Sequence, residues 1–375
     1  MAANTLSLAD YAVDGLTPRE VLSPRSAEEV SDHLHRAAAE RQGIIPRGGG
    51  TQMALGNIPR AADVVLCTAE LNQVLEYEPA DLVVTVQAGV RLARLQRVLG
   101  EQGQFLALDP AFPERATVGG IIATNASGPL RLRYGTCRDL LIGIKVAGAD
   151  GAITKAGGKV VKNVTGYDMC KLYTGSLGTL AVIVEASFKV APLPAIENTV
   201  LCWFGALSDA ITAARAIYNS PLPIRACELI SPSAAAALEL AGGYLLAVWI
   251  GGGQTAVERQ QREVTGLCSA ANAAETVAGN ELQRFWREVE DFGREQFEIV
   301  GKISVPPSRT GELLARLPAD APFVSHVLSG VTYVFGLDAE LLTGVVREVG
   351  GYLVLEACPL EVKRRLDVWG PLGGD

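Results

Sequence analysis

The sequence predicts an α+β protein with two domains, on three observations. The chain is 375 residues long, which is more than one ordinary hydrophobic core accommodates. Hydrophobic residues make up 49% of it and charged residues 20%, a composition typical of globular proteins. Strand-like and helix-like segments alternate as far as about residue 190, where the proline-containing stretch "APLPAIEN" interrupts them. We therefore expect one domain over residues 1–195 and a second over residues 196–375.

The elements of the first domain follow from local sequence signals. Residues 26–42 begin with Ser26 before an acidic turn and carry apolar residues at helical spacing, which predicts a capped amphipathic helix. Residues 63–69 and 82–90 are rich in β-branched side chains and predict strands. Residues 91–103 predict a helix closed by glycine.

The second domain differs in character from the first. It begins with a predicted strand, "TVLCWFGAL", and a predicted helix, "LSDAITAARAIYNS". A second strand, "YLLAVWIGGG", and a charged amphipathic helix, "ELQRFWREVEDFGREQF", come after them. This order predicts a separate α+β domain rather than a continuation of the first.

Charge and cysteine content exclude several classes of function. The net charge of −8 and the pI near 5.2 argue against a nucleic-acid groove or an acidic lipid surface as the partner. The seven cysteines include no CxxC pair, which disfavours an iron–sulfur or structural metal site and favours a reducing compartment. Since we find neither a signal peptide nor an uninterrupted apolar run of membrane-spanning length, we expect a cytoplasmic protein without a membrane span of its own.

The first candidate binding segment is "PRGGGTQ", residues 46–52. Successive N–H groups of its three glycines could point at one pyrophosphate, with a hydroxyl donor from Thr51. A flexible turn explains the same glycines equally well. The segment is not a Walker loop, because no Lys-Ser/Thr follows, and not a Rossmann fingerprint, because Met53 occupies the third glycine position.

Two further segments combine glycine with small polar residues. Residues 109–139 contain Gly119, Gly120 and Gly128 among short hydroxyl and amide side chains, and such a stretch buries little apolar area. A ligand therefore explains it better than a linker does. In residues 158–194, Gly175 and Gly178 stand on either side of Ser176, just before a strand of valine and isoleucine. Within the same stretch, two lysines could balance phosphate charge or simply be solvated (Lys159 and Lys162).

Taken in order, five motifs resemble the FAD-binding domain of the vanillyl-alcohol oxidase/PCMH flavoproteins. They are P-x-G-G-G-T, A-T-V-G-G-x-x-A-T-N-A-S-G, Y-G-T-x-R-D, K-N-x-x-G-Y-D and G-S-x-G-T-L-x-x-x-x-E-A. Each is weak alone, whereas the set is specific. Within that superfamily the chain is similar to the glycolate oxidase and D-lactate dehydrogenase branch, and especially to the FAD-binding E subunit of the three-subunit glycolate oxidase. The resemblance is strong over residues 15–195. It implies a PCMH-type FAD-binding domain of two α/β subdomains, followed by a smaller, incomplete α+β cap domain.

The same resemblance implies which residues line an FAD that lies extended between the two subdomains. The loop around the pyrophosphate would comprise Pro46, Arg47, Gly48, Gly49, Gly50, Thr51 and Gln52. The pyrophosphate and flavin side would be lined by Asp109, Pro110, Thr117, Gly119 and Gly120. Further along the cofactor would lie Thr124, Asn125 and Ser127, and its flavin or adenine end would touch Gly178, Thr179 and the strand to Ile183.

The attachment of the cofactor is expected to be non-covalent. Some relatives tether FAD through a histidine beside the glycine loop, but here that neighbourhood is Thr51 and Gln52. The three histidines of this chain lie elsewhere, at His33, His35 and His326. On this interpretation, Gly49→Asp should abolish FAD retention by placing a side chain and a negative charge against the pyrophosphate.

The second domain departs from the pattern of the catalytic members of this branch. Those D-2-hydroxy-acid dehydrogenases carry H-x-G-D-G-N-x-H, whose histidines bind a divalent metal beside the substrate. The nearest stretch here, "VSHVLSGVTYVFG", has His326 and Gly330 but lacks the Asp, the Asn and the second histidine. We therefore predict no metal site and a strand position for His326.

The catalytic residues stay unknown on sequence alone. Hydride transfer to a flavin needs a general base and a group that binds the substrate carboxylate. The weak candidates are Arg287, Lys302 and His326, none of which lies in a diagnostic motif. The helix around Arg287 is explained equally well as a surface helix with Phe285 and Trp286 buried.

The resemblance implies an FAD-dependent oxidoreductase acting on the CH–OH group of a 2-hydroxy acid such as glycolate or D-lactate. The favoured hypothesis is a flavoprotein subunit of a complex with two partners, a paralogous catalytic flavoprotein subunit and an iron–sulfur subunit. Such partners could hold the protein at the inner face of the cell membrane. The alternatives are a self-sufficient FAD-dependent D-2-hydroxy-acid dehydrogenase and a structural subunit whose FAD is not reduced.

Overall fold

The computed structural model of the chain describes residues 7–158, 167–240 and 242–370. The chain divides into two compact units. Unit 1 comprises residues 1–54, 58–127 and 135–193, and unit 2 comprises residues 55–57, 128–134 and 194–375. The change from unit 1 to the main part of unit 2, after Leu193, falls within "APLPAIEN".

The regular elements are numbered along the whole chain. The strands are β1 Glu20–Leu22, β2 Ile44–Arg47, β3 Val64–Cys67, β4 Val74–Glu78, β5 Val83–Gln87, β6 Gln104–Phe105, β7 Leu141–Ala147, β8 Ile153–Gly157, β9 Val182–Lys189, β10 Ala191–Pro192, β11 Ile196–Phe204, β12 Ala226–Ile230, β13 Tyr244–Gly252, β14 Ala273–Ala278, β15 Val300–Ser304, β16 Phe323–His326, β17 Val331–Phe335 and β18 Tyr352–Ala357. The α-helices are α1 Ala27–Glu40, α2 Leu92–Gly100, α3 Val118–Thr124, α4 Arg131–Tyr134, α5 Cys137–Leu140, α6 Met169–Tyr173, α7 Leu207–Tyr218, α8 Pro232–Ala237, α9 Gln254–Leu267, α10 Gly279–Asp291, α11 Thr310–Arg316, α12 Ala339–Val349 and α13 Leu360–Lys363.

Unit 1 has two main sheets with different strand directions. The first has the order β1-β3-β2, and both neighbours of β3 run parallel to it. The second has the order β4-β5-β9-β7-β8 and is antiparallel throughout. The central strand β3 is buried along its whole length, as expected for the middle of a covered parallel sheet. The two sheets, with the helices of unit 1, confirm the predicted mixture of strands and helices in the first part of the chain.

Helix α1 has the cap and the buried apolar face that its sequence predicts. The Ser26 hydroxyl accepts a hydrogen bond from the Glu29 N–H at 3.1 Å and so satisfies one of the free donors of the first turn. Val30 and Leu34 are buried on one face of the helix. The helix ends where Arg41 adopts a left-handed conformation, with φ at 55°. The predicted capped amphipathic helix is confirmed.

The other predicted elements are also present, with boundaries shorter by a few residues. The strands expected over residues 63–69 and 82–90 are β3 and β5, and the helix expected over residues 91–103 is α2. In the second part of the chain, the strand, helix, strand and helix predicted from "TVLCWFGAL" onwards are β11, α7, β13 and α10.

Unit 2 is built on one antiparallel sheet of eight strands, in the order β14-β11-β13-β12-β16-β17-β15-β18. Apolar residues of α7, α9, α11 and α12 pack into the core on one face, and those of α8 and α10 pack into the core on the other. This sheet has more strands than either main sheet of unit 1. The predicted burial of Phe285 and Trp286 on α10 is confirmed, at 6% and 2% exposure.

Two short segments from the first part of the chain belong to unit 2. The Asn57 side chain donates to the Asp367 carboxylate at 2.9 Å and accepts from the Val368 N–H at 3.1 Å. In the second segment, Arg133 donates to the Pro223 carbonyl at 2.8 Å. Unit 2 is therefore completed by two short segments that are separated in sequence from its main segment, which begins at residue 194.

Within the described ranges, no helix combines the length and the apolar character that crossing a bilayer requires.

Candidate functional site

The three glycine-rich segments come together inside unit 1. A Cβ atom added at Gly48 or Gly49 would collide with Thr117 or Arg115 respectively, because the loop after β2 lies directly against the start of α3. A Cβ at Gly178 would lie 3.0 Å from the Pro46 ring. The first segment, residues 46–52, therefore contacts both of the other segments.

The second and third segments are joined to each other by backbone hydrogen bonds. The N–H of Gly175 donates to the Ile122 carbonyl at 2.9 Å, and the N–H of Leu177 donates to the Ala123 carbonyl at 2.8 Å. These bonds fix the turn before β9 at the end of α3. Three stretches that are distant in sequence thus form one continuous surface.

The loop after β2 is shaped by Gly50 and Arg47. Gly50 has a positive φ of 73°, which favours glycine. A Cβ at Gly50 would also lie 2.8 Å from the Arg47 guanidinium, so a larger residue would displace that side chain. The guanidinium stacks over the ring of Tyr11, with 4.7 Å between its central carbon and the ring centroid.

Helix α3 is short and closely packed on its neighbours. The Thr117 hydroxyl accepts from the Gly120 N–H at 3.4 Å and caps the helix. A Cβ at Gly119 would lie 2.8 Å from that of Ala88, so this glycine permits close packing of the helix. The Thr124 hydroxyl donates to the Gly120 carbonyl at 2.8 Å, and Asn125 ends the helix in a left-handed conformation.

Each of the three segments contributes one buried polar atom without a partner. These atoms are the Gln52 Oε1, the Asn125 Oδ1 and the Ser176 Oγ, and within the described part of the chain none of them has a hydrogen-bond partner. A buried polar group left without a hydrogen bond costs about 1–3 kcal/mol. Three such groups on adjoining segments fit a polar ligand that supplies the partners. The residues present therefore fit FAD, whose phosphates, ribitol and ring edges offer both donors and acceptors.

The remaining predicted cofactor residues occupy different environments. Asp109, Pro110 and Ser127 are buried. The Thr179 hydroxyl donates to the Ser176 carbonyl at 2.7 Å and so stabilises the turn itself. Ile183 lies on β9 and packs into the core between the sheet and α3. Lys159 and Lys162 lie outside the described residues. Direct contact of each of these residues with FAD stays a prediction.

Unit 2 carries a row of ionisable side chains on the sheet face that α10 partly covers. Lys302 and Tyr333 are cross-strand neighbours on β15 and β17. The rings of Tyr333 and His326 meet edge to face at 5.5 Å, and the His326 Nδ1 lies 2.7 Å from the Glu228 carboxylate. Burial raises the pKa of Glu228, although the charges of His326 and Arg131 act in the opposite direction.

The row ends in a group of three charges. The Glu356 carboxylate lies 2.5 Å from Arg294 and 3.3 Å from Lys302. The Arg294 guanidinium lies over the Tyr333 ring at 3.7 Å. Burial alone would raise the pKa of Glu356, but the charges of Arg294 and Lys302 outweigh it and hold that pKa below its usual value. The pKa of Lys302 is raised, first by Tyr333 and, after the opposing effect of burial, by Glu356.

This donor set does not fit a divalent metal. The structure places His326 at the end of β16, which confirms the predicted strand position. Tyr333 occupies the place of the second histidine in the H-x-G-D-G-N-x-H pattern. Among the described residues, no three His, Cys, Asp or Glu side chains are grouped as metal ligands would be, and Lys302 and Arg294 add positive charge nearby.

The three weak catalytic candidates do not all lie together. Lys302 and His326 both lie on this sheet face, on either side of Tyr333. Arg287 is exposed on α10, whose buried side is formed by other residues. Sequence reasoning missed four members of the row: Glu228, Arg294, Tyr333 and Glu356. Three segments do carry a signal, since "ACELI", "VGKIS" and "YLVLEA" each place one charged residue in an otherwise apolar strand.

Comparison with known proteins identifies the class of unit 1. Residues 18–157 match the family described as "FAD binding domain". This range contains the glycine loop after β2 and the whole of α3. The prediction of an FAD-binding domain, and of FAD as its cofactor, is confirmed by this match.

Curated relatives and a solved structure are also similar to this chain. The chain is 32% identical to "Glycolate oxidase subunit GlcD" of Bacillus subtilis over 264 residues, 68% of this chain and 56% of that protein. It is 35% identical to "D-lactate dehydrogenase" of Archaeoglobus fulgidus over 204 residues, 54% of this chain and 46% of that protein. An alkyldihydroxyacetonephosphate synthase structure shares the fold, with a TM-score of 0.70 and 20% identity over 92% of this chain and 73% of its own. The chain spans about half the length of the curated relatives it matches.

Proposed function

We propose that this chain is the FAD-carrying subunit of an enzyme complex that oxidises a 2-hydroxy acid to the 2-oxo acid. The observation that carries the proposal is the set of three unpartnered polar atoms, one on each of the segments that meet around α3. The matches to a glycolate oxidase subunit and to D-lactate dehydrogenases supply the substrate class, glycolate or D-lactate. When bound, FAD would accept the hydride removed from the alcohol carbon.

The residues of unit 1 would bind and orient the cofactor. Gln52 and Ser176 would each make a hydrogen bond to it, and Asn125 would make one from the end of α3. The glycines of the loop after β2 would bring backbone N–H groups close to the pyrophosphate. Attachment is proposed to be non-covalent, since the loop has Thr51 and Gln52 where a tethering histidine would stand.

The subunit hypothesis is favoured over a self-sufficient dehydrogenase by the donor set of unit 2. His326 has a carboxylate neighbour in Glu228, but the rest of the row is a tyrosine and a group of two cations with one carboxylate. A metal that polarises the hydroxy acid would then belong to a paralogous catalytic flavoprotein subunit. An iron–sulfur subunit would pass the electrons on. We place this assembly in the cytoplasm, with its partners as the link to the inner face of the cell membrane.

The test is a comparison of the isolated chain with the assembled complex. We expect the purified chain to be yellow, to release its flavin on acid precipitation, and to keep its flavin oxidised when glycolate or D-lactate is added without oxygen. Addition of the partner subunits should then allow the substrate to bleach the flavin.

Each other outcome supports a different conclusion. Bleaching of the isolated chain by either acid would show a self-sufficient dehydrogenase. Flavin that stays oxidised in the active complex, while the complex turns over, would show a structural subunit. A colourless chain that cannot be loaded with FAD would refute the proposal.

A further inference from the structure

Tyr11 lies in a short helical turn that precedes the matched FAD-binding domain. The family match begins at residue 18, whereas the turn comprises Leu8–Tyr11. The N–H and the hydroxyl of Ser7 both donate to the Asp10 carboxylate, at 2.6 and 2.9 Å. These two bonds close the start of the turn, as a side chain that bonds nearby backbone does in many turns. The turn therefore presents Tyr11 from a fixed position.

The Tyr11 ring holds the side chain of Arg47, the charged residue of the segment 46–52. The guanidinium carbon lies 4.7 Å from the ring centroid, and the guanidinium also donates a hydrogen bond to the Cys67 thiol. Burial raises the pKa of Cys67 and outweighs the opposing effect of Arg47, so this thiol is neutral near physiological pH. Among the described residues, no carboxylate forms an ion pair with Arg47. An aromatic ring and a neutral thiol thus hold this cation without neutralising it.

A cation held in this way suits an anion at the glycine loop. A Cβ at Gly50 would lie 2.8 Å from the Arg47 guanidinium, so the positive charge lies against the loop itself. Because the protein has a net charge of −8, attraction of a pyrophosphate depends on local positive charge of this kind. A guanidinium whose orientation is fixed in advance also loses less freedom when an anion binds than a free arginine side chain would.

We propose that Tyr11 is a positioning residue for FAD, because it holds Arg47 in the orientation in which the guanidinium meets the pyrophosphate. Residues 7–11 would then belong to the cofactor site although they lie outside the matched domain. The inference rests on the proposed place of the pyrophosphate at the loop after β2. Since coupling between two binding events is reciprocal, bound FAD must stabilise the turn by the same factor by which the turn strengthens FAD binding.

The first test is a double-mutant cycle on FAD affinity, measured by flavin fluorescence with the FAD-free full chain. Tyr11→Ala should weaken FAD binding at least about threefold, through loss of the contact between ring and guanidinium. Tyr11→Phe should bind FAD as the wild type does, because the ring rather than the hydroxyl holds the guanidinium. In an Arg47→Gln background, Tyr11→Ala should cause no further loss, because its effect passes through Arg47. A merely structural contribution of the turn would give the same loss in both backgrounds.

The matched control is Leu8→Ala on the same turn. Leu8 is 45% exposed, so its truncation removes an apolar side chain and leaves the Tyr11 ring in place. This variant should bind FAD with wild-type affinity. Wild-type affinity in Tyr11→Ala, or an equal loss in both backgrounds, would overturn the role of Tyr11 alone. A wild-type chain that cannot be loaded with FAD would refute the proposed function together with this inference.

A second measurement uses only the wild-type chain, in case Tyr11→Ala does not fold. Mass spectrometry follows amide hydrogen exchange of residues 7–12 with and without FAD. Bound FAD should slow this exchange at least about threefold, which is the reciprocal of the effect on affinity. The control is the turn of residues 148–152, also in unit 1, where the Gly151 N–H donates to the Gly148 carbonyl at 2.9 Å. Exchange there should not change with FAD, and equal exchange of residues 7–12 in the two samples contradicts the proposal.

Discussion

Three buried side-chain atoms support the presence of a cofactor. The side chains of Gln52, Asn125 and Ser176 each keep a polar atom away from water without a hydrogen bond inside the described chain. Amide side chains can present either oxygen or nitrogen to a ligand, since the two ends have the same shape. Two amides and a hydroxyl therefore suit a ligand that carries both phosphate oxygens and ring N–H groups.

Adding a negative charge at Gln52 or Asn125 should weaken FAD binding without preventing the chain from folding. Gln52→Glu and Asn125→Asp keep the shape of the side chain, and Asp tolerates the left-handed backbone at position 125. Each should reduce FAD affinity at least about tenfold, or about 1.4 kcal/mol. The new carboxylate would face the phosphates, or the side chain would no longer have the amide N–H donors. Flavin fluorescence titration of the FAD-free chain measures this. Gln102→Glu, an exposed change in unit 1, should retain wild-type affinity. Unchanged affinity in both Gln52→Glu and Asn125→Asp contradicts the assignment.

Glu356 should make the stability of unit 2 dependent on pH. Because the pKa of Glu356 is held below its usual value, its ionised form stabilises the folded state above the unfolded pKa of about 4.3. That contribution is lost as the pH falls through the lower, folded pKa. Glu356→Gln should therefore cost about 3 kcal/mol near neutral pH, with a smaller difference from wild type in acid. Thermal unfolding of both proteins between about pH 7 and about pH 3 tests this, and a difference that does not change with pH contradicts it.

At the scale of elements, glycine serves packing as well as binding. The loop after β2 lies so close to α3 that Gly48 and Gly49 have no room for a side chain, with or without a phosphate. The bare backbone at Gly49 is therefore required by contact with the Arg115 carbonyl. For this reason Gly49→Asp cannot by itself show that the loop binds pyrophosphate, since the same change disturbs the loop.

A smaller substitution measures this packing directly. Gly49→Ala should destabilise the FAD-free chain by about 2 kcal/mol, because its Cβ would meet backbone that cannot move aside freely. Gly120→Ala is the comparison, since its Cβ would meet only the Thr117 hydroxyl, at 3.2 Å. It should change stability by less than about 1 kcal/mol. Chemical denaturation of the two variants gives the result, and equal stabilities would mean that the loop adapts.

At the scale of the whole molecule, two units are interleaved in sequence. Unit 2 takes residues 55–57 and 128–134 from the part of the chain that otherwise forms unit 1. The first of these follows the glycine loop, and the second follows α3 and Ser127. Segments that line the candidate FAD site are thus covalently continuous with segments of the unit that carries the charged row. The proposed complex would have FAD in this chain and the metal in a partner subunit. Both units of this chain would then belong to the FAD-carrying subunit.

Features that depend on residues close together in the sequence were predictable, whereas contacts between residues far apart in the sequence were not. Elements such as α1, β5 and α10 follow from caps, β-branched residues and amphipathic spacing, because those signals act over one or two turns or strands. The FAD-binding class was also predictable, since glycines and small polar residues recur in a fixed order along the chain. The pairing of Tyr333 with Lys302 was not, because it joins residues on two strands. The contact of Arg294 with Glu356 was not either, because it joins the turn after α10 to β18.

The α+β class, the FAD-binding motifs and the lack of the histidine metal pattern follow from the sequence, since each depends on which residues occur and in what order. The folded chain was needed to show that three glycine-rich segments adjoin, that three polar atoms there lack partners among the described residues, and that two cations share Glu356. Hydrogen bonding, burial and ion pairing depend on distances between side chains that are far apart in sequence. Those distances exist only once the sheets have formed.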